Sequence, residues 1–441
     1  MNATLLLLPC AAVLLGSCAH FEERPLEVEE SSASFAGRSL HDPGLRAFLE
    51  EEQAAGRSWT IDQLALAAAY FHPDVALARA EAEESAAAIL TAGQRPDPVF
   101  TFTPQWTNAA VAFTPWFFNP ILSIPLETAG KRPLRTEQAM AAAEAARWRV
   151  SARAWTARSR VRAAMLDVYG ARENIRLLET EEALHDESIR KLTAQMEAGD
   201  VSQFELTQAR LMLNRTRLAR QDAERLAATG EARLASAIGI PTMALRGIAL
   251  DFSTFARLAP VNAAECRRFA LSRRADLMSL LAEYAAAEAR LKLELARQYP
   301  DINVNPGYDF NSGQNRWQLG LNLQVPLNQN RGPIAEAEAR RITSEKRFLA
   351  QQGAIEGEVD IALAAYQASR SKSTTAAQLE REAAAATETT RRMVEGGEVS
   401  ALELTRRRIE ASTANVALLA ANLEALTAAG ALEDAMQAPL R

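Results

Sequence analysis

Four histidines, three cysteines and 55 carboxylates are the side chains of this chain best able to do chemistry. Their spacing argues against most of it. His20, His41, His72 and His185 are scattered, whereas a zinc site needs nitrogen or sulfur ligands converging at short intervals. His72, directly before Pro73, reads as a helix cap. His185 and the acid run Glu179, Glu181 and Glu182 read as solvated helix faces rather than acid–base groups. No glycine loop has the form of a phosphate cradle. The sequence therefore predicts no catalytic residue, no metal site and no cofactor, and an enzyme is not expected.

The one thiol in a chemically suggestive setting is Cys18. Residues 1–17 hold a short apolar run, too short to span a bilayer at about 20 residues and suited to a secretory leader. That run ends in Leu15-Gly16-Ser17-Cys18, which resembles the bacterial lipobox. The resemblance implies cleavage before Cys18, lipid on its thiol and, with Ala19 following, sorting to the outer membrane. An ordinary signal peptide with an incidental cysteine is the alternative. Cys10 also falls in the leader, so only Cys18 and Cys266 would remain and no internal disulfide is expected. Residues 18–57 are polar and acidic and read as an extended tether. The net charge of −6 is modest and both signs are interleaved, which gives no basic stripe for nucleic acid.

The chain states one pattern twice. MEAGDVSQFELT at 196–207 recurs as VEGGEVSALELT at 394–405, identical at seven of twelve positions. Trp116 precedes Trp317 by 201 residues, and Ile124-Pro125-Leu126 precedes Val325-Pro326-Leu327 by the same offset. Solenoid and propeller units run to roughly 20–50 residues, so this is one large supersecondary unit duplicated. The expected division is a first repeat over 58–258 and a second over 259–441.

Each repeat needs two kinds of element. Ile302, Val304, Tyr308 and Phe310 alternate with Asn303, Asn305 and Asp309, and every odd position from Trp317 to Val325 is apolar. Period two predicts strands with one apolar and one wet face. Phe100, Phe102 and Trp106, then Trp116, Phe118, Leu122, Ile124 and Leu126, repeat this more crudely. Asn and Gln on the wet face suit a water-filled barrel lumen, with Trp116, Trp317 and Tyr308 in an aromatic girdle. A soluble sandwich is the alternative. No further apolar stretch is expected to span a membrane as a helix, so spanning would require a closed barrel. Four strands cannot close one, since small barrels take about eight; copies must pool their strands.

After each strand pair the period turns helical. One helix is expected over 129–197, roughly 100 Å long, with apolar residues at coiled-coil spacing from Trp148 to Met196. Gly199 breaks it, and Ser202 with Glu205 forms a capping box that starts a return helix over 203–238. The second repeat gives a helix over 333–395, Gly396-Gly397, the Ser400/Glu403 cap, and a helix to about 436.

Strand pair plus long helical hairpin, twice, behind a lipobox, resembles the TolC-like outer-membrane efflux protein family over about 58–437. The two turns carry the resemblance most specifically. Ile124-Pro125-Leu126 through Lys131-Arg132 resembles the junction of the branch serving heavy-metal exporters of the resistance–nodulation–division class. The resemblance implies a mainly α protein with a small membrane β-barrel: a homotrimer with a 12-stranded barrel in outer-membrane lipid on an α-helical periplasmic tunnel. It implies a passive exit duct, partnered by a periplasmic adaptor and an inner-membrane transporter of that class. Gly199, Val201, Ser202, Gly397, Val399 and Ser400 would form adaptor-docking tips. Val201 and Val399 are expected to be exposed. Glu403, with Arg406 one turn on, would line the aperture gate, either as an acidic ring or as a Glu–Arg network. A type I secretion outlet of the same fold is one alternative. A periplasmic coiled-coil adaptor or scaffold is the other, although it should carry one hairpin rather than two.

Overall fold

In the computed structural model, residues 20–52, 58–108, 114–311 and 313–440 are described. The leader and Cys18 lie outside them. In chain order the helices are α1 (Val28–Ala36), α2 (Pro43–Glu51), α3 (Ile61–Phe71) and α4 (Pro73–Gly93). Strands β1 (Val99–Phe102), β2 (Gln105–Trp106), β3 (Trp116–Phe117) and β4 (Pro120–Leu126) follow. The first long hairpin is α5 (Lys131–Glu197) and α6 (Gln203–Ile238). Next come α7 (Ala263–Arg273), α8 (Ala275–Ala296), β5 (Ile302–Asn311) and β6 (Gln314–Leu323). The second hairpin, α9 (Arg331–Glu395) and α10 (Ala401–Met436), completes the chain.

Two single helices of 67 and 65 residues set the scale. At 1.5 Å per residue each is roughly 100 Å long. α6 packs along α5, and α10 along both α9 and α5, so the hairpins form one helical layer. Toward the strands, α4 and α8 take the places beside α5 that α6 and α10 hold farther down. His72 makes the break between α3 and α4: its Nδ1 accepts the Asp74 amide at 3.1 Å while Pro73 starts the next helix.

The strands make an open antiparallel sheet in the order β1-β4-β5-β6, with a small β2–β3 pair beside it. The register keeps the two faces separate. Ile302 faces Leu323, Val304 faces Leu321 and Tyr308 faces Trp317, whereas Asn303 faces Asn322 and Asp309 faces Arg316. The strand pair expected in the first repeat is thus broken into four short pieces.

The main cores sit at the waist, where short elements wrap the long helices. Leu45, Leu64, Phe71, Met165 and Ile238 join one cluster, and Leu277, Ile355, Tyr366 and Leu432 a second. Leu40, Leu45 and Leu49 belong to the first cluster, which corrects the extended tether: within 18–57, α1 and α2 are helical and α2 is docked. Asp42 caps α2 by accepting the Leu45 amide at 2.9 Å. A second correction concerns spans. α10 contains an 18-residue window of mean hydropathy 1.3, long and apolar enough by composition to cross a membrane. A third of that window is buried within the chain, Ala421 and Ala425 among it, and the helix packs along α5 and α9.

Candidate functional site: the hairpin turns and the two-faced sheet

Both hairpins reverse on a glycine in left-handed conformation, Gly199 at φ +86° and Gly397 at φ +75°. No atom would meet an added Cβ at either position, so the requirement is conformational: a Cβ costs about 1–2 kcal/mol there. The amide after each glycine closes the turn, Asp200 donating to the Gln195 carbonyl at 2.9 Å and Glu398 to that of Met393 at 2.8 Å. Ser202 and Ser400 then cap α6 and α10, their hydroxyls accepting the amides of Glu205 at 3.4 Å and Glu403 at 3.3 Å.

The two turns match in backbone but not in surroundings. Val201 and Val399 are half-buried rather than exposed. Val201 packs on a small tip core of Leu192, Leu206 and Leu402, because the second hairpin leans on the first. The apolar side chain that does stand out is Phe204, 69 % exposed, whose repeat counterpart Leu402 is buried. Sequence reasoning passed over Phe204; the mismatch of Phe with Leu at equivalent positions was its signal.

Glu403 and Arg406 do come together, within a wider network. Glu403 sits 3.1 Å from Arg407 and 3.9 Å from Arg406, and Arg406 reaches Glu205 of the first hairpin at 3.7 Å. Within one chain this is a Glu–Arg network rather than a lone carboxylate. Deeper in, Lys191 of α5 donates to Glu187 at 2.6 Å, to the Ala401 carbonyl at 3.0 Å and to the Thr405 hydroxyl at 2.7 Å. The hydrogen bond from Lys191 leads the effects that hold the Glu187 carboxyl below its usual range. His185 is buried, not solvated, and lies 3.7 Å from Glu181; its hydrogen bond leads the effects that lower the Glu181 pKa, with Thr216 also donating.

At the other end, the sheet leaves Leu319, Leu321 and Leu323 of β6 exposed, with Trp317 at 85 %. Phe118 stacks on Phe102, Trp116 and Phe310, and Tyr308 meets Trp317 at 5.1 Å between ring centres. The sheet joins the helices through a charged collar. Lys131 at the start of α5 donates to the Tyr299 carbonyl at 2.7 Å and to Asp301 at 2.6 Å, which ties the first repeat to the second. Among the described residues no group of three or more His, Cys, Asp or Glu could hold a metal ion.

Solved structures share this architecture. The chain is 18 % identical to CusC, covering 87 % of this chain and 94 % of that one with a TM-score of 0.69. It is 16 % identical to the outer membrane protein VceC of Vibrio cholerae, covering 86 % and 97 % at TM-score 0.69. It is also 16 % identical to the MtrE outer membrane channel of Neisseria gonorrhoeae, covering 86 % and 89 % at TM-score 0.67. At such identity these likenesses show the fold. No curated protein matches by sequence. The family pattern described as outer membrane efflux protein matches residues 63–240 and 268–437, taking in both hairpins and both sets of strands, and the chain accordingly belongs to the outer membrane efflux protein family.

Proposed function

We propose that three copies of this chain form a passive exit duct of a tripartite efflux pump. Twelve strands would close a barrel in the outer membrane, above a tunnel of twelve helices crossing the periplasm. The observation that carries this reading is the sheet: four strands, two free edges, one apolar face of exposed leucines and one face of Asn and Gln. An isolated sheet of this kind leaves unpaired edges and an apolar face in water, and pooling strands around a water-filled lumen removes both faults. The helical layer supports self-assembly too. Phe204, Leu211 and Leu218 stand exposed on α6 at seven-residue spacing, and Ile361 and Leu379 on α9. Both are edge helices of the layer below the waist, and a heptad stripe without a partner is a coiled-coil seam.

In this reading the turns at Gly199, Val201, Ser202, Gly397, Val399 and Ser400 meet a periplasmic adaptor. Six turns per trimer would add weak contacts through multivalency. Glu403 and Arg406 would border the aperture. The inner-membrane partner would be a transporter of the resistance–nodulation–division class, a reading that rests on the 124–132 junction, and Cys18 would add a lipid anchor. Native mass spectrometry of protein extracted from outer membranes tests the assembly. A trimer mass is expected, and a monomer under conditions that preserve other outer-membrane oligomers would overturn it.

A further inference from the structure

A cavity of about 390 Å³ opens where α5, α8 and α9 meet. Its α9 wall carries Arg340, Ser344 and Arg347, at i, i+4 and i+7 and so on one helix face. Arg290 of α8 and Gln138 of α5 line the other sides of what is an open groove, with Arg340 and Arg347 exposed to solvent, and Ala286 and Ala287 leave the space between them. Measured from the start of α9, Arg340 and Arg347 lie about 14 and 24 Å down the helix, below the sheet.

The cavity just above it on the same helix faces is built differently. Lys131 and Arg297 line that upper cavity together with the polar strand residues Asn303 and Gln324. Gln138 is seven residues from Lys131, and Arg290 seven from Arg297, so the lower cavity continues the wet side. In the upper cavity every cation has a counter-charge: Lys131 has Asp301, Arg135 has Glu127 and Arg297 has Glu294. Among the described residues, the lower cavity has no acidic lining residue. Arg340 is held by Glu336 on its own helix, while Arg290 and Arg347 make no ion pair or hydrogen bond among the described residues.

Guanidinium groups gathered in one concavity repel each other, and a counter-ion seated among them removes that cost. Two free guanidinium forks, the Ser344 hydroxyl and the Gln138 amide offer donors in several directions, with no carboxylate to oppose an anion. Planar forks of this kind match the oxygens of a tetrahedral oxyanion in bidentate fashion. We propose that this cavity is a binding site for a small, water-soluble tetrahedral oxyanion of the class of inorganic phosphate, reached from the wet side of the sheet. The site would exist whether or not the chain conducts anything.

The test uses the full-length purified protein in a zwitterionic detergent. Phosphate is titrated against chloride at matched ionic strength, with melting temperature and calorimetric binding as readouts. Phosphate is expected to raise the melting temperature of the native protein. Arg290→Gln and Arg347→Gln should each weaken phosphate binding by about tenfold or more, the loss expected for one charged hydrogen-bonding partner. Melting of the variants without phosphate should be unchanged or higher, because repulsion is relieved, and this separates loss of the site from loss of the fold. An equal response in native and variant proteins, or none beyond that of chloride, would overturn the assignment. Stabilisation by short-chain phosphatidic acid but not by inorganic phosphate would also overturn it, by assigning the cavity to a lipid headgroup.

Discussion

Lys191, near the end of the first long helix, donates a 2.7 Å hydrogen bond to Thr405 in the first turns of the last helix. Thr405 is fully buried there, and its hydroxyl also lies 3.2 Å from Glu187. Its repeat counterpart Thr207 is exposed, and among the described residues its hydroxyl bonds only the Gln203 carbonyl of its own helix. One repeat tip is therefore pinned to the other by a contact that the duplication does not reproduce.

Thr405→Val keeps the shape and deletes the hydroxyl, leaving Lys191 one partner short. A lost buried hydrogen-bond partner costs about 1–3 kcal/mol, so hydrogen exchange across 401–407 should accelerate. Thr207→Val should change stability by no more than about 0.5 kcal/mol. Acid should mimic the first variant. The folded pKa of Glu187 is depressed chiefly by Lys191, so its contribution is present above the unfolded value of about 4.3. It is lost as pH falls through the lower folded value. Equal exchange in both variants would remove the pin from the account.

The sheet faces predict opposite tolerance at adjacent residues. Leu321 pairs with Val304 on the apolar face and Asn322 with Asn303 on the wet one. A charge on the lipid face of a barrel costs about 2–4 kcal/mol at mid-membrane, once per copy. Leu321→Arg should sharply reduce heat-stable oligomer in outer-membrane fractions, and Asn322→Arg should leave it near normal. Similar yields for the two would favour a soluble sandwich.

Cys18 lies outside the described residues, so its role rests on Leu15-Gly16-Ser17-Cys18. Mass spectrometry of the mature N-terminus should find residue 18 first and acylated, and Cys18→Ser should abolish the added mass. An uncut leader or a bare Cys18 would defeat the lipoprotein reading.

Glu403→Gln separates cap from gate. The cap uses the Ser400 hydroxyl and the Glu403 amide, which the substitution keeps, while the charge that faces Arg406 and Arg407 is removed. Stability should stay within about 0.5 kcal/mol, and cation selectivity across a bilayer should fall. Unchanged selectivity would leave Glu403 as a helix-start residue only.

The sequence made the hairpins readable because glycine at positive φ and a serine cap are local requirements, satisfied within a few residues of Gly199 and Gly397. The alternation in β6 was readable for a similar reason, since strand parity alone sets its faces. Burial that depends on a distant partner was not. Leu40, Leu45 and Leu49 sit in a largely polar segment that ends in Glu50 to Glu52, and they join the waist core where α2 meets α3. His185 and Val201 are covered by other helices brought alongside by the fold. Phe204 and Leu402 share a position in the repeat, yet one points out and the other in, because the second hairpin packs on the first and not the reverse.

Conductance in a planar lipid bilayer bears most directly on the central claim that this chain lines a water-filled pore. Purified native protein should insert and give discrete, reproducible ohmic steps, and Leu321→Arg protein should rarely insert. Native protein that floats with liposomes and resists extraction, yet passes no current at any voltage, would contradict the duct.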